Sequence, residues 1–479
     1  MTAAGSTVSI SPNPKFELSP YLFMQFMEPL GTTDSSVEAG WDFVNNRWRE
    51  DLIEATIELA PTLIRWGGCL TSYYRWKEGI GPRTKRKPMV NLCWGGVETN
   101  QIGTHEFLDF CKRVGADPLI GVNFESDGRK PWARPACGGL RSAGPKEAAE
   151  WVDYCNNPSN KLRQENGQKE PFNVRLWQIG NETSYDPDGY NADQTARRTL
   201  AFAKAMHAVD PDIKLIGWGD GKGWTAKVMD AAGDHLEHIA FHCHYGAPEF
   251  ISQNGHLQDP AKAWEMLMDT VHNVEEQVQR MREETKDYPV TVAITEGHYT
   301  LRARNRGDVL STWATGVSYA RIMQAYERNG DLIKIATLAD FCGNRWQVNA
   351  LMIPTPVGKT YLMPVARIMQ LYRKHIGKNF LDVTESPEGL DVTASRTGNK
   401  IYLHVANTSM SKSCTVKLNI PGLKITSGKV FEIVEEPFKA ISEYEPDLFT
   451  NKEHDLPADS TWTFPAGSVA AVELTVKEA

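Results

Sequence analysis

Segments that pattern as strands and segments that pattern as helices alternate about eight times between residues 20 and 370. The strand candidates are short apolar runs rich in β-branched residues, as in 118–124, whereas the helix candidates carry an apolar stripe, as in 193–209. This alternation predicts a parallel sheet covered by helices, and at this length the expected form is a closed (β/α)8 TIM barrel. A doubly wound sheet is the alternative, but no Gly-x-Gly-x-x-Gly follows a strand candidate to support a dinucleotide site.

The pattern changes after Lys374, where short strand candidates follow one another, divided by turn residues. Such spacing is typical of an all-β sandwich. The alternating run 7–11 lies outside the rhythm of the barrel, so we expect it to complete a sheet of that sandwich. The predicted fold is therefore α/β, a barrel with a C-terminal all-β sandwich. The predicted parts are an N-terminal strand joining the sandwich at 1–19, the catalytic barrel at 20–374 and the C-terminal β-sandwich at 375–479.

Composition limits the kinds of partner that the chain can have. Its 479 residues are 41% hydrophobic and 23% charged, as in a globular protein, and its net charge of −8 argues against nucleic acid as a partner. No window approaches about 18 uninterrupted apolar residues, so we expect no membrane span. The N-terminus lacks a basic segment followed by an apolar core, which predicts a cytoplasmic protein without a signal peptide. A mature secreted form whose leader was removed stays an open alternative.

The eight cysteines show no C-x-x-C pair and no short ligand spacing. We interpret them mostly as buried free thiols, which fit a reducing compartment better than a disulfide framework does. One disulfide or one pocket-lining thiol remains open. The cysteines are Cys69, Cys93, Cys111, Cys137, Cys155, Cys243, Cys342 and Cys414.

Two glutamates stand where strand candidates end. The run 172–179 closes with Gly180-Asn181-Glu182, and the run 288–295 closes with Glu296. Because strand ends converge over the C-terminal face of a barrel, the two carboxylates are expected to meet there. Such a pair is what glycosidic bond cleavage needs, one group as proton donor and the other as nucleophile or base. The alternatives are a plain turn at Gly-Asn and a surface carboxylate at Glu296.

Other polar residues lie at comparable positions. Glu28 is a third glutamate at a strand terminus, and Arg65 ends the candidate 62–66, where it would serve as a salt-bridge partner, as a substrate donor or as both. A nucleophilic carboxylate must stay ionised, for which donors such as Arg65 or Tyr245 would serve. Asn181 suits a hydrogen bond to the sugar 2-hydroxyl.

His242 and His244 share one face of a strand candidate, which raises the possibility of a metal site. No third ligand is identifiable by spacing, so we predict no metal and interpret the two as hydrogen-bonded histidines of a pocket wall. Hydrolysis by a Ser-His-Asp triad is disfavoured as well, because the chain has no Gly-x-Ser-x-Gly.

Taken together, these motifs resemble glycoside hydrolase family 51, whose best-known members are retaining α-L-arabinofuranosidases, with some endoglucanases. The resemblance runs over nearly the whole chain. Its most specific motifs are Arg65-Trp66-Gly67-Gly68, the runs 74–82 and 98–107, Gly180-Asn181-Glu182, His242 with Tyr245, and the strand into Glu296.

The resemblance implies roles for individual residues. Glu182 is implied as the acid/base and Glu296 as the nucleophile. It also implies a carbohydrate substrate, no cofactor and a homo-oligomer. The implied substrate-binding residues are Glu28, Arg65, Cys69, Trp94, Asn181, His242, Tyr245 and Gln347.

The chain departs from the family's usual sequence in the pocket. Cys69 stands where the family has a sugar-contacting asparagine, and Glu296-Gly297-His298-Tyr299 stands where Glu-Trp-Asn is usual. The expected function is a retaining, exo-acting α-L-arabinofuranosidase that releases arabinose from plant cell-wall polysaccharides or oligosaccharides. The alternatives are a β-glucanase, a glycosidase for another furanoside or pentoside, and a non-catalytic carbohydrate-binding barrel.

Overall fold

The fold is described from a computed structural model. It describes residues 6–31, 34, 36–124, 141–185, 190–301, 308–355 and 357–478, so Cys137 lies outside the described residues. The seven cysteines within these ranges are free thiols, and all but Cys414 are buried.

Eight parallel strand positions form a closed barrel, which confirms the predicted fold class. The eighth position is divided into two segments: Ile333–Ile335 pairs with strand 7, and Asp340–Gly343 pairs with strand 1 through Asp340 and Phe26. The sheet therefore has no open edge between its first and last strands. In order, barrel strands 1 to 8 are Met24–Met27, Leu63–Trp66, Asp117–Val122, Leu176–Ile179, Lys214–Trp218, Leu236–Gly246, Thr291–Thr300, and Ile333–Ile335 with Asp340–Gly343.

One long helix follows each barrel strand. In the second of these helices Thr104, an N-cap residue type by sequence, is instead the first helical residue, and the Glu106 carboxylate accepts the Gly103 N–H at 2.9 Å. Among the described residues, no helix combines the length and the apolar character that crossing a membrane requires. The long helices are Glu50–Leu59, Thr104–Val114, Pro145–Asn156, Ala192–His207, Trp224–Ala232, Pro260–Thr285, Trp313–Arg328 and Pro364–Lys374.

Short elements decorate the loops around the barrel. The pair Met89–Val90 and Val97–Glu98 lies in the long excursion after strand 2, and Asn349–Met352 extends the barrel sheet beyond strand 8. The remaining short helices and strands of the barrel are Ser36–Ala39, Trp41–Asp42, Arg47–Trp48, Lys161–Glu165, Glu249–Ser252 and Tyr361–Leu362.

A layer of apolar side chains fills the barrel interior below the active face. Every barrel strand contributes at least one side chain to this layer, so the barrel is a packed core rather than a pore. The polar residues at the strand ends therefore lie directly above a packed apolar layer. The layer consists of Met24, Leu63, Leu119, Leu176, Ile216, Trp218, Ala240, Ala293 and Ile335.

The remaining strands form one nine-stranded sheet. The N-terminal strand Ser6–Glu17 lies in it, antiparallel to Asn379–Glu385 and parallel to Cys414–Asn419. Residues from both halves of the sheet share one apolar core, so the sheet curls over itself as in a sandwich. In spatial order its strands are Lys452–Asp455, Leu423–Ile433, Val469–Glu478, Lys400–Asn407, Leu390–Thr397, Asn379–Glu385, Ser6–Glu17, Cys414–Asn419 and Thr461–Phe464.

A buried polar cluster joins this β domain to the barrel. The Glu327 carboxylate, on the helix after strand 7, lies 2.7 Å from Nδ1 of His404 and accepts a hydrogen bond from the Thr393 hydroxyl. The His404 ring stacks on Tyr372 of the last barrel helix at 3.8 Å between centroids. Because these side chains are buried, the Thr393 hydroxyl and Nδ1 of His404 depend on the Glu327 carboxylate for their hydrogen bonds.

We predict that Glu327→Ala lowers the free energy of unfolding by about 1–3 kcal/mol, because it leaves buried His404 and Thr393 without their acceptor. Thermal unfolding followed by circular dichroism measures the loss. The matched control is Lys214→Ala, which breaks the exposed pair with Glu237 and should cost less than about 1 kcal/mol. Equal losses in the two variants would contradict the role given to the buried cluster.

Candidate active site

The two predicted catalytic glutamates meet at the C-terminal face of the barrel. Glu182 follows strand 4, and Glu296 lies within strand 7 beside His242 of strand 6. One carboxylate oxygen of Glu182 and one of Glu296 lie within 4.8 Å of each other. Both side chains are largely buried, with exposed fractions of 14% and 10%.

A sharp turn aims Glu182 at its partner. Gly180 has φ +85°, and Glu182 itself has φ +51°, a conformation that side chains other than glycine rarely adopt. A Cβ at Gly180 would lie 3.3 Å from Cβ of Trp218, so space also favours glycine there. Gly180-Asn181-Glu182 thus forms a turn and also carries a candidate catalytic carboxylate. Backbone strain such as the positive φ of Glu182 is commonly found at functional positions.

Arg65 forms hydrogen bonds with three other side chains of the site. Its guanidinium is fully buried and donates to Glu296 Oε1 at 2.9 Å, to Asn181 Oδ1 at 2.6 Å and to Gln178 Oε1 at 2.7 Å. Of the two roles predicted for Arg65, salt-bridge partner and substrate donor, the structure shows the first, with Glu296 as the carboxylate. The positive charge beside Glu296 suits a carboxylate that acts in its ionised form.

His242 lies between the two catalytic candidates. Its Nδ1 is 3.1 Å from Glu182 Oε1 and 3.6 Å from Glu296 Oε2. Its ring packs edge-on against Trp218, with centroids 4.6 Å apart. His242 therefore orients both carboxylates without lining the cavity in front of them.

Cys69 contacts the other oxygen of Glu182. Its Sγ lies 3.7 Å from Glu182 Oε2, at hydrogen-bonding distance for sulfur. A hydrogen bond with Cys93 and burial raise the pKa of Cys69 well above 9.0, so the thiol is neutral at physiological pH. Cys69 is thus a weak donor to Glu182 rather than a thiolate nucleophile.

The Glu28 carboxylate packs against the backbone of Gly68. Its Oε1 accepts the Leu70 N–H at 3.2 Å, and a Cβ at Gly68 would lie only 1.9 Å from its carboxylate. Gly68 also has φ +106°, so only glycine fits there without strain. Burial, followed by the charge of Glu296, raises the pKa of Glu28 well above 4.5, which favours a protonated carboxyl able to donate to a hydroxyl.

A cavity of about 420 Å³ opens above these groups. It includes five of the predicted residues: Glu28, Cys69, Trp94, Glu182 and Glu296. Arg65, Asn181 and His242 lie behind this wall and support it. The remaining lining residues are Phe26, Leu30, Tyr185, His244, His298, Thr300, Asp340 and Trp346.

Tyr245 and Gln347 are two further predicted residues that are not part of this lining. The Tyr245 hydroxyl donates to the Leu338 carbonyl at 3.3 Å, because residues alternate along strand 6 and His244 takes the cavity face. Tyr245 therefore does not support the nucleophile as a hydrogen-bond donor in this structure. Gln347 is likewise absent from the lining, and its neighbour Trp346 occupies the wall, edge to face with Trp94 at 5.3 Å.

The sequence analysis missed Asp340 and His298. His298 Nε2 lies 3.8 Å from Asp340 Oδ1, and its Nδ1 lies 2.8 Å from the Tyr299 carbonyl oxygen. Asp340 closes strand candidate 333–340, the same strand-end signal that singled out Glu182. His298 stands two residues after Glu296, on the same face of strand 7.

Two titratable groups on this wall have shifted pKa values. Burial raises the pKa of Asp340 to about 7, with His298 opposing the shift and Glu296 adding to it. Burial, followed by the neighbouring His298 and His242, lowers the pKa of His244 well below 6.5. Near neutral pH this wall therefore carries a neutral imidazole beside a carboxyl close to its midpoint.

We predict that Asp340→Asn becomes increasingly stabilising, relative to the wild type, as the pH rises from about 4 to about 7. The folded pKa lies above the ordinary 3.8, so the stability linked to this carboxyl is present below pH 4 and lost as the pH rises through 7. Since one pKa unit is worth about 1.4 kcal/mol, the gain reaches at most about 4 kcal/mol.

Thermal unfolding midpoints across this pH range measure the effect. The matched control is Asp331→Asn, since Arg282 holds the pKa of Asp331 below 3.8. Its carboxylate stabilises the fold above that pKa, so this variant should lose stability at neutral pH and lose less as the pH falls. A pH-independent difference for Asp340→Asn would contradict the prediction.

Known proteins share sequence with part of this chain. Residues 55–262 match the family model described as alpha-L-arabinofuranosidase 1 domain. An intracellular exo-alpha-(1->5)-L-arabinofuranosidase of Halalkalibacterium halodurans is 32% identical over 247 residues, covering 48% of this chain and 46% of that protein. Alpha-L-arabinofuranosidase C of Emericella nidulans is 37% identical over 178 residues, covering 36% of this chain and 32% of that protein. These matches thus span about half of the relatives' length or less.

Solved structures match the fold over nearly the whole chain. A family 51 α-L-arabinofuranosidase of Bifidobacterium longum superposes with a TM-score of 0.80 at 20% identity, covering 98% of this chain and 100% of the other. The GH51 enzyme of Thermotoga petrophila gives a TM-score of 0.79 at 23% identity, with the same coverage. Residues 55–262 thus match the alpha-L-arabinofuranosidase 1 domain in sequence, and the fold over 98% of the chain is that of these family 51 enzymes.

Proposed function

We propose that the protein is a retaining glycoside hydrolase that releases terminal α-L-arabinofuranosyl residues from plant cell-wall polysaccharides or oligosaccharides. The observation that carries the proposal is the separation of at most 4.8 Å between carboxylate oxygens of Glu182 and Glu296. Retaining enzymes hold their two carboxyl groups about 5–5.5 Å apart, whereas inverting enzymes keep about 6.5–9.5 Å to admit a water. The names of the sequence relatives support arabinofuranose as the sugar.

In the first step, Glu296 attacks the anomeric carbon while Glu182 protonates the departing oxygen. Arg65 donates to Glu296 Oε1 and so fixes the direction of that carboxylate. In the second step, Glu182 takes a proton from water, which displaces the sugar from Glu296 with net retention.

We also assign Asn181 a hydrogen bond to the sugar. Its Oδ1 accepts from Arg65, which leaves its amide N–H groups as donors toward a sugar hydroxyl. A hydrogen bond to the 2-hydroxyl would strengthen as the oxocarbenium-like transition state develops. Glu28, whose pKa is raised by burial and by the charge of Glu296, lies in the cavity wall as a second polar group for the sugar.

Another furanoside or pentoside is the second candidate, because Cys69 and His298 in the cavity wall depart from the family's usual sequence. These residues contact the space where ring substituents would lie, whereas the carboxylate pair and Arg65 do not change. The proposal extends to a homo-oligomeric protein of the cytoplasm, in line with relatives that are named intracellular.

The test of the sugar is hydrolysis of four aryl glycosides: α-L-arabinofuranoside, β-D-xyloside, β-D-glucoside and β-D-galactofuranoside. We expect turnover of the arabinofuranoside, with the first product formed in the retained anomeric configuration by NMR. If the protein hydrolysed only one of the other three glycosides, the proposed substrate would be the sugar of that glycoside. Binding without turnover of any member would indicate a non-catalytic carbohydrate-binding barrel.

The test of the roles compares Glu182→Ala with Glu296→Ala on substrates with good and poor leaving groups. We expect Glu296→Ala to lose at least about 10⁴-fold in kcat on both, since no other group forms the covalent intermediate. Glu182→Ala should lose about 10²–10⁴-fold on an alkyl arabinofuranoside but far less in the first step on a dinitrophenyl one, which needs little protonation.

Azide gives an independent check. It should restore turnover of the dinitrophenyl substrate by Glu182→Ala and yield a glycosyl azide of retained configuration, because a small anion replaces the water that this carboxylate activates. Equal losses on both leaving groups together with no rescue would contradict the assignment of Glu182 as acid/base.

A further inference from the structure

We propose that the floor of the cavity also binds one divalent transition-metal ion of the zinc class, held by His242, His244, Glu182 and Glu296. Each of these residues offers one ligand atom, and the four atoms all lie within 4.8 Å of one another. Spacing along the chain suggested only the two histidines, since the other two ligands come from different strands.

The fold brings the four ligands to one point. His242 and His244 share the inward face of strand 6, and the parallel register places His242 directly beside Glu296 of strand 7. Glu182 reaches the same point from the turn after strand 4, with its Oε1 3.1 Å from His242 Nδ1. Ligands of a tetrahedral ion at about 2.0–2.2 Å lie roughly 3.3–3.6 Å apart, so small side-chain rotations complete the site.

The donor set suits this class of ion. Two imidazole nitrogens and two carboxylate oxygens are common zinc ligands, and imidazole favours the later first-row metals over magnesium or calcium. Nε2 of His244 is buried and has no hydrogen-bond partner among the residues that the structure describes. His242 already faces both carboxylates through its Nδ1. A buried imidazole nitrogen is normally paired, so the orphaned nitrogen of His244 points to a missing ligand.

Charge is compatible with an ion at this point. Oxygens of Glu182 and Glu296 approach each other in a largely buried space, so a divalent cation would be held by two carboxylates once Glu182 has lost its proton.

An ion held in this way has a consequence that rests on the proposed function. Because it occupies both catalytic carboxylates, it would prevent nucleophilic attack and proton donation together. The metal-bound protein is then an inactive form, and substrate and ion compete for one site.

The experiment measures binding directly in the chelator-treated full chain. Zn²⁺ is titrated calorimetrically, and Co²⁺ is added as a spectroscopic probe whose visible absorption reports a tetrahedral site. We expect one strong site per chain and a loss of affinity of more than about 10-fold in His244→Ala. The matched control is His272→Ala, which removes an exposed histidine paired only with Asp269 and should leave binding unchanged.

Two further variants keep the outcome decisive. His244→Gln, checked by thermal unfolding, replaces His244→Ala if the latter does not fold. Cys69→Ser tests whether a nearby thiol binds the ion instead. If Cys69→Ser lost zinc binding while the His244 variants bound normally, the proposal would be overturned in favour of a thiolate site. No saturable binding by the wild type, or equal binding by the wild type and the His244 variants, would overturn it outright.

The binding readouts do not depend on hydrolysis, so the two proposals fail separately. A protein that binds the ion but turns over no glycoside refutes the hydrolase alone. A protein that hydrolyses the arabinofuranoside but binds no ion refutes the metal site alone. When both hold, Zn²⁺ should inhibit competitively with the substrate, and the inhibition should reverse on addition of chelator.

Discussion

The candidate site depends on one buried cation, the guanidinium of Arg65. It spans strands 2, 4 and 7 by donating to side chains from each of the other two. A fully buried charge is tolerable only when its donors are paired, so Gln178, Asn181 and Glu296 are as necessary to Arg65 as it is to them. The same hydrogen bonds that satisfy the cation therefore fix the carboxylate that we propose as nucleophile.

The glycine pair after Arg65 makes this arrangement possible. A Cβ at Gly67 would lie 2.7 Å from Arg65 Nε, and one at Gly68 would lie 1.9 Å from the Glu28 carboxylate. Each glycine thus clears space for one charged side chain of the site. Each residue of the motif Arg65-Trp66-Gly67-Gly68 has a physical role. Arg65 is the buried cation, Trp66 is a core aromatic residue, and at Gly67 and Gly68 the backbone approaches charged side chains closely.

Much of this organisation could be predicted from sequence because barrels place their chemistry at strand ends. Glu28, Arg65, Glu182 and Glu296 all follow apolar runs, and the structure brings all four to one face. The errors came from one-residue ambiguities that local patterns do not resolve. Residues alternate along strand 6, and the sequence does not show which set faces inward; in the structure His244 rather than Tyr245 lines the cavity.

A different error concerns strand 8. The run 333–339 is largely apolar up to Asp340, a pattern typical of one strand, but the pairing breaks between Ile335 and Asp340. The first segment joins strand 7 and the second joins strand 1. Asp340 consequently enters the cavity at the start of a strand segment rather than at the end of one. Which neighbouring strand each segment pairs with is decided by the tertiary structure, and the local sequence does not specify it.

The groups that form the chemistry and those that shape the pocket have different origins. Arg65, Gln178 and Glu296 lie on barrel strands, whereas Trp94 and Trp346 lie in loops that are anchored by separate buried side chains. Asp34 accepts the backbone N–H of Trp346 at 3.3 Å, and Asn91 Oδ1 accepts that of Trp94 at 2.7 Å. Substitution in these loops can therefore change which sugar fits without moving the carboxylates. Cys69 fits this separation, since it lies in the loop after strand 2, whereas His298 lies on strand 7 itself, two residues after Glu296 and on the same face.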